Sequence, residues 1–399
     1  MNLGSEASSS PSANRLRIAF FGRRNAGKSS LINALTGQSL AIVSDVPGTT
    51  TDPVSKAMEL LPLGPCIVTD TAGLDDEGEL GELRIKKSLA VLAVADIAVL
   101  VVPCAAEEGL VEAQVREICA RRSIALVVAR TRADEFPAFQ ASADEVLVSS
   151  VTGVGVDALR GRIAAVCPQE VPPPLVADLA SCGDIVLCVC PVDESAPKGR
   201  LILPQQQVIR ELIEIGAAAV VCQPCELARF VAQIGAEKIR FVVTDSQAFG
   251  AVRDILPREV PLTSFSILFA RQKGDLKTLC QGAAAIKLLK DGDRVLIAEG
   301  CTHRRQCGDI GSVKIPRWLE KYTGKKLEFV FASGGDFPID GEAPPKLVIH
   351  CGGCMLTRRA VLARLFKCAE LGVPVVNYGV AIGLMHGIVA NPETCMVER

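Results

Sequence analysis

The sequence predicts an α/β protein with a doubly wound, mostly parallel sheet followed by two further small α/β domains. Two observations predict it. Short apolar runs alternate with helical patterns along the chain, which is the signature of strands covered by helices on both faces. A Pro-rich stretch, 168–174, then separates the first alternating block from the rest and reads as a linker. A chain of 399 residues exceeds one hydrophobic core and calls for two or three domains. With 49% hydrophobic and 22% charged residues it has enough apolar side chains to bury sizeable cores. Aromatic residues are only 4%, so Val, Leu, Ile and Ala must fill those cores.

In the first block, strands are expected over 17–21, 66–69, 97–102, 124–128 and 145–148, with a helix over 29–36 after a Gly-rich loop. A second unit begins near Asp184, with strands over 185–189, 217–221 and 241–243 and helices over 205–215 and 226–234. A third begins near Leu276, with strands over 294–299, 328–331, 347–350 and 375–376 and helices over 314–322 and 357–371. The expected domains are therefore 1–170, with 1–14 a flexible Ser-rich segment, then 175–270 and 271–399. The Cys and His of the third unit fall at strand ends, where ligands of open α/β sheets sit.

Charge excludes some partners. A net charge of −2 gives no basic surface for nucleic acid or an anionic membrane. Residues 1–14 lack the apolar core of a signal peptide. The longest apolar stretch, 89–106, is broken by Asp96 and Pro103 and reads as a helix end followed by a buried strand, not a membrane span. Sixteen Cys without a secretory signal suggest a reducing, cytoplasmic compartment and metal chemistry more than disulfides.

Gly22-Arg23-Arg24-Asn25-Ala26-Gly27-Lys28-Ser29 fits the phosphate-loop pattern G-x-x-x-x-G-K-S, between a strand and a helix that continues with Ser30. The glycines let backbone N–H groups wrap phosphates, and the helix N-terminus adds a favourable dipole. Lys28 would reach the outer phosphates and Ser29 would bind magnesium. Gly48-Thr49-Thr50-Thr51-Asp52 looks like a first switch, with Thr50 completing the magnesium shell. Asp70-Thr71-Ala72-Gly73 looks like a second, in which Asp70 holds magnesium through water and the Gly73 N–H senses a γ-phosphate. Lys28, Thr50, Asp70 and Gly73 are thus the expected catalytic residues for GTP hydrolysis.

The order and wording of these motifs resemble the TrmE–Era branch of GTPases. That resemblance implies a potassium ion held by Asn25, doing the work of an arginine finger. There is no Gln soon after Gly73 to position water. Glu79 or Glu82 is a substitute, although both also read as solvated acids at a helix start. The base-reading motif departs from the usual Asn-Lys-x-Asp: it is Thr131-Arg132-Ala133-Asp134, with Ser149-Ser150 where the branch has Ser-Ala. Asp134 still accepts from guanine. Thr131 and Arg132 predict weaker or less selective binding.

Two of the three His sit in Cys301-Thr302-His303 and His350-Cys351-Gly352-Gly353-Cys354. The C-x-x-C pair brings two thiolates to one centre and Cys301 supplies a third, with His303 or His350 as a fourth ligand. Spacing alone leaves two readings open, a tetrahedral Cys₃His zinc site and an iron–sulfur cluster with one exchangeable iron.

C-x-H, a gap over 304–349, then H-C-x-x-C resembles the HydF family. So do Gly199-Arg200-Leu201-Ile202-Leu203-Pro204-Gln205 and Gly372-Val373-Pro374-Val375-Val376-Asn377-Tyr378-Gly379-Val380. The resemblance implies a GTPase domain, a dimerisation domain and a cluster domain, in a homodimer or tetramer. It implies a 4Fe–4S cluster on Cys301, Cys351 and Cys354, with His303 and His350 candidates for the fourth position. It implies a scaffold or carrier of a transient diiron subcluster, receiving it through two radical-SAM maturases (HydE- and HydG-type) and delivering it to apo FeFe-hydrogenase. An RNA-modifying GTPase of the TrmE kind is the alternative, disfavoured by the near-neutral charge. Cys222-Gln223-Pro224-Cys225, Cys188, Cys190 and His386 read as structural; Cys307 lies close to His303 in sequence, which makes a spare ligand the minor reading for it.

Overall fold

The computed structural model describes residues 15–37, 53–75, 79–168, 172–192, 201–301, 309–339 and 343–398. The chain forms two compact units, Met1–Glu170 and Val171–Arg399.

In the first unit, β1 (Leu16–Phe21), α1 (Lys28–Thr36), β2 (Val54–Leu60), β3 (Gly64–Asp70), α2 (Glu79–Val94) and β4 (Ile97–Pro103) follow in order. They are succeeded by α3 (Leu110–Arg121), β5 (Ala125–Thr131), β6 (Glu145–Leu147) and α4 (Val156–Ala165). The strands form one sheet in the order β2-β3-β1-β4-β5-β6, parallel except for β2. Side chains alternate across a strand, and here each face meets its own core. Ile18, Phe20, Val99 and Val101 pack with Leu31, Leu35, Leu159 and Ile163 of α1 and α4. Ala19, Phe21, Leu100 and Val102 pack with Leu92, Val115 and Cys119 of α2 and α3. Both faces are covered, which is why these strands read as continuous apolar runs.

The second unit opens with β7 (Ile185–Val189), α5 (Leu203–Glu214), β8 (Ala218–Cys222), α6 (Leu227–Ile234), β9 (Ile239–Thr244), α7 (Phe249–Ile255), β10 (Leu262–Ser264) and α8 (Phe265–Lys273). It continues with α9 (Leu276–Gly282), β11 (Arg294–Ala298), α10 (Ile315–Thr323), β12 (Glu328–Ala332), β13 (Leu347–His350), α11 (Arg358–Glu370), β14 (Val375–Asn377) and α12 (Tyr378–Met385). Two short strands follow, β15 (Val389–Ala390) and β16 (Val397–Glu398). One sheet runs β12-β11-β13-β14, all parallel.

The other sheet runs β15-β16-β10-β9-β7-β8. Its last two strands in sequence lie antiparallel at the β10 edge. The chain thus passes the expected boundary at 270/271 and its last two strands return to the sheet of the second region, where β16 covers the β10 edge. Of the expected linker, 169–171 lies outside the described residues, as do the N-terminal residues 1–14.

Candidate functional site

The phosphate loop links β1 to α1, and its geometry is set by three backbone positions. A side chain at Gly22 would put Cβ 2.3 Å from the Val101 carbonyl oxygen, so nothing larger fits. Gly27 (φ 91) and Asn25 (φ 58) are left-handed, a conformation that Gly adopts freely and Asn tolerates. Lys28 is buried and its Nζ donates to the carbonyl oxygens of Gly22 (3.1 Å) and Arg23 (2.8 Å).

Ser29 Oγ donates to Asp70 Oδ2 at 2.5 Å. Asp70 Oδ1 is buried with no hydrogen-bond partner among the described residues. Burial pushes the Asp70 carboxyl up, against the Ser29 hydrogen bond and the Lys28 charge, which pull it down. A hydroxyl and a carboxylate with one unsatisfied oxygen form a hard-oxygen pair that fits magnesium.

Two acids missing from the sequence reading hold this loop. Glu112 on α3, 1% exposed, grips Arg23 in a bidentate pair (Nε–Oε1 2.9 Å, Nη2–Oε2 2.9 Å) and accepts from the Gly109 N–H at 2.9 Å. Burial raises its carboxyl, but the Arg23 and backbone hydrogen bonds outweigh that and hold it below the usual range. Asp75, just past the second switch motif, accepts from the Arg24 N–H at 2.6 Å. Gly73 packs so closely there that a Cβ would lie 2.9 Å from the Arg24 nitrogen. Both contacts join residues more than fifty positions apart, which no local pattern signals.

The unusual base motif keeps its ties to the loop. Thr131 Oγ1 donates to the Ala26 carbonyl at 2.7 Å, and Arg132 Nη2 to the Asn25 carbonyl at 3.3 Å. Asp134 is exposed. The Ala133 N–H donates to the Val148 carbonyl at 3.3 Å, which sets this loop beside Ser149-Ser150. Ser149 is buried, its Oγ accepting from the N–H groups of Val151 (3.2 Å) and Thr152 (3.1 Å). Ser30 follows Ser29 on α1. Thr50 lies outside the described residues, as do the side chains of Glu79 and Glu82 on α2.

In the second unit, β11 has β12 on one side and β13 on the other. The connections after β11 and after β13 therefore run in opposite directions, the topology in which ligands of open sheets sit at the strands' carboxyl ends. The cysteines stand there. The β11–β13 register ends at Ala298↔His350, and the Cys351 N–H donates to the Ala298 carbonyl at 3.0 Å. Cys351 Sγ accepts from the N–H groups of Gly300 (3.1 Å) and Gly353 (3.4 Å). These bonds tie the backbone of Ala298 and Gly300 to the Cys351–Cys354 turn. Burial pushes the Cys351 thiol up to about 11 and also raises Cys354, against the pull of the Lys273 charge. The Cys351–Cys354 turn carries two thiols of the kind that bind metals as thiolates, but among the described residues no three His, Cys, Asp or Glu side chains are gathered closely enough to hold a metal ion, so the structure does not itself bring Cys301 onto that pair.

Lys273, at the end of α8, is a third element that sequence reasoning missed. Its Nζ donates to the carbonyl oxygens of Gly353 (3.2 Å), Cys354 (2.9 Å) and Leu356 (2.7 Å). His350, a proposed ligand, has both ring nitrogens engaged: Nδ1 with the Cys351 carbonyl (2.7 Å) and Nε2 with Arg364 Nη1 (3.0 Å). A guanidinium only donates, so Nε2 is the acceptor and Nδ1 carries the proton. Burial, then the Arg364 charge, pushes this imidazole down to about 4. His303 and Cys307 lie outside the described residues. His386 packs edge-on against Trp318 at 5.7 Å, Cys188, Cys190 and Cys222 are buried, and Cys225 is exposed.

Comparison with known proteins assigns both units. Residues 17–131 match the 50S ribosome-binding GTPase family. Residues 175–274 match the hydrogen maturase F dimerization domain, and 277–392 its tetramerization domain. The chain belongs to the hydrogen maturase F (HydF) family. Its first unit is also similar to the tRNA modification GTPase MnmE of Myxococcus xanthus, at 39% identity over 36% of this chain and 31% of that protein. MnmE of Thiobacillus denitrificans is 36% identical over 37% and 33% of the two chains. The chain thus spans about a third of the length of these curated relatives. A solved structure of Era with MgGDPNP and a 16S ribosomal RNA segment aligns with TM-score 0.34 and 16% identity, covering 51% of this chain and 90% of that one. Family membership accounts for the cysteine-bearing region, which the MnmE likeness does not reach.

Proposed function

We propose that this protein is a GTP-hydrolysing scaffold of FeFe-hydrogenase maturation, which binds a 4Fe–4S cluster and carries the diiron subcluster to the apo-hydrogenase. The observation that supports the reading is the Gly300 N–H bond to Cys351 Sγ at 3.1 Å, which ties the backbone just before Cys301 to the Cys351–Cys354 turn in a chain of the HydF family.

In the nucleotide site, Lys28 leaves the Gly22 and Arg23 carbonyls to meet the outer phosphates, while the loop N–H groups cradle the inner ones. Ser29, Asp70 and Thr50 hold magnesium, whose charge screens the phosphates, and Asn25 holds potassium. Gly73 and its neighbour Asp75 sense the γ-phosphate against Arg24. Asp134 reads the guanine edge, with Thr131 and Arg132 bracing the loop beneath it. Hydrolysis then alters a self-association or partner surface, the partners being the apo-hydrogenase and two radical-SAM maturases.

At the cysteine centre, Cys301, Cys351 and Cys354 would hold the cluster, with His303 or an exchangeable ligand as the fourth; the ring of His350 serves Arg364. When bound, the cluster would supply the iron chemistry that a carrier of the diiron unit needs. Anaerobic reconstitution with iron and sulfide, followed by EPR of the reduced protein, tests this beside Cys301→Ala. A 4Fe–4S signal lost in the variant, with GTP turnover intact in both, is the expected result. Stoichiometric zinc and no cluster signal would replace the scaffold reading with a GTPase bearing a structural metal.

A further inference from the structure

Lys273 and Arg364 are cations buried to 5% and 7% exposure; neither forms a salt bridge among the described residues, and the one carboxylate that acts on either is Asp336, on Arg364. Lys273 spends all three of its donors on carbonyl oxygens of the cysteine turn, with its ammonium 5.3 Å above the Phe269 ring. Arg364 donates to His350 Nε2 and to the Gly334 carbonyl, its guanidinium 5.0 Å over Phe337. Lys273 is solvated by neutral dipoles and a ring face alone; Arg364 has these and the charge of Asp336. A buried charge held this way is costly unless an anion compensates it. The two reach the cysteine turn from opposite ends of the sequence neighbourhood: Lys273 binds the Cys354 carbonyl itself, and Arg364 binds the imidazole whose Nδ1 holds the Cys351 carbonyl.

We propose that Lys273 and Arg364 are built-in counter-ions for a net-anionic metal–thiolate group on Cys301, Cys351 and Cys354, and that they make that group easier to reduce. The inference rests on the cluster reading above and adds the charge on which its redox balance depends. Three thiolates give an iron–sulfur cluster a net negative charge, and one-electron reduction makes it more negative. A fixed positive charge beside it therefore favours the reduced state, the more so where the surroundings are of low dielectric. Both are positioning residues: they act on the group through charge and through the turn they hold.

The test separates charge from shape. Lys273→Gln keeps hydrogen-bond donors for the turn carbonyls and removes the charge; Lys273→Met removes both. Wild type and both variants are reconstituted with iron and sulfide, and iron content and the midpoint potential of the bound cluster are measured, with thermal unfolding and GTP turnover as checks on folding. The expected result is that Lys273→Gln retains iron while its reduction equilibrium weakens about tenfold, a 59 mV fall for one electron. Lys273→Met loses iron as well. Unchanged potential in an iron-loaded Lys273→Gln overturns the proposal and makes Lys273 a purely structural clamp. If Lys273→Gln does not fold, Arg364→Gln gives the same reading by the same measurement. Wild type that takes up no iron overturns the cluster reading itself, an outcome distinct from the other two.

Discussion

Arg364 donates to Nε2 of His350 at 3.0 Å, and this one bond decides what the histidine does. An imidazole whose lone pair already accepts from a guanidinium has none left for a metal. Replacing His350 with Ala should leave iron content unchanged. It should destabilise the protein by about 1–3 kcal/mol, the usual cost of depriving a buried donor of its acceptor. Iron analysis with thermal unfolding checks this; loss of iron at unchanged stability would make His350 a ligand.

Asp75 competes for a phosphate-loop N–H. Its carboxylate accepts from Arg24 at 2.6 Å, so an incoming γ-phosphate has to displace it. Asp75→Ala should tighten binding of a non-hydrolysable GTP analogue by about 1 kcal/mol, roughly fivefold, and leave GDP affinity unchanged. Calorimetric titration with both nucleotides reads the ratio. An unaltered ratio would mean that the contact yields to phosphate at no cost.

Glu112 makes the phosphate loop sensitive to acid. Its carboxyl is held below the usual range by hydrogen bonds to Arg23 and Gly109 that outweigh burial. A carboxyl depressed on folding contributes stability that is present above its unfolded value of about 4.3 and is lost as pH falls through the lower folded value. Glu112→Gln should therefore be less stable than wild type at pH 7, with the gap narrowing toward pH 3. Urea unfolding at both values measures it, and a gap independent of pH would rule out the ionised pair as its source.

Asn25 is the expected potassium ligand. GTP turnover should be faster in potassium than in sodium at equal ionic strength, and Asn25→Ala should abolish the difference. Equal wild-type rates in the two salts would refute the potassium assignment.

Contiguous features were legible from sequence. β4 was readable because both of its faces are buried, and the phosphate loop because its residue types follow one another without interruption. β2 was missed, being an antiparallel edge strand in which only Met58 and Leu60 are buried, so that it lacks an apolar run. β10 has three residues and β15 and β16 two each, too few for any period to show. The candidate cysteine ligands stood out by spacing. Lys273 did not, because a lysine at a helix end reads as solvated, and its burial is imposed by a turn about eighty positions away. His350 stood out as a candidate ligand, but sequence shows a ring nitrogen and not the neighbours, Cys351 and Arg364, that engage it.

The closing hairpin gives the protein a built-in order of assembly. Thr263, in β10, donates to the Cys395 carbonyl, a partner synthesised 132 residues later. On the ribosome β10 therefore waits with a bare edge until the residues of β16 emerge, while the helices and strands between them are already condensing. The middle sheet is completed only after translation has passed through the whole cysteine-bearing region. A nascent chain interrupted there is left with an unfinished, association-prone edge, so quality control of this fold is written into the sequence distance between two short strands.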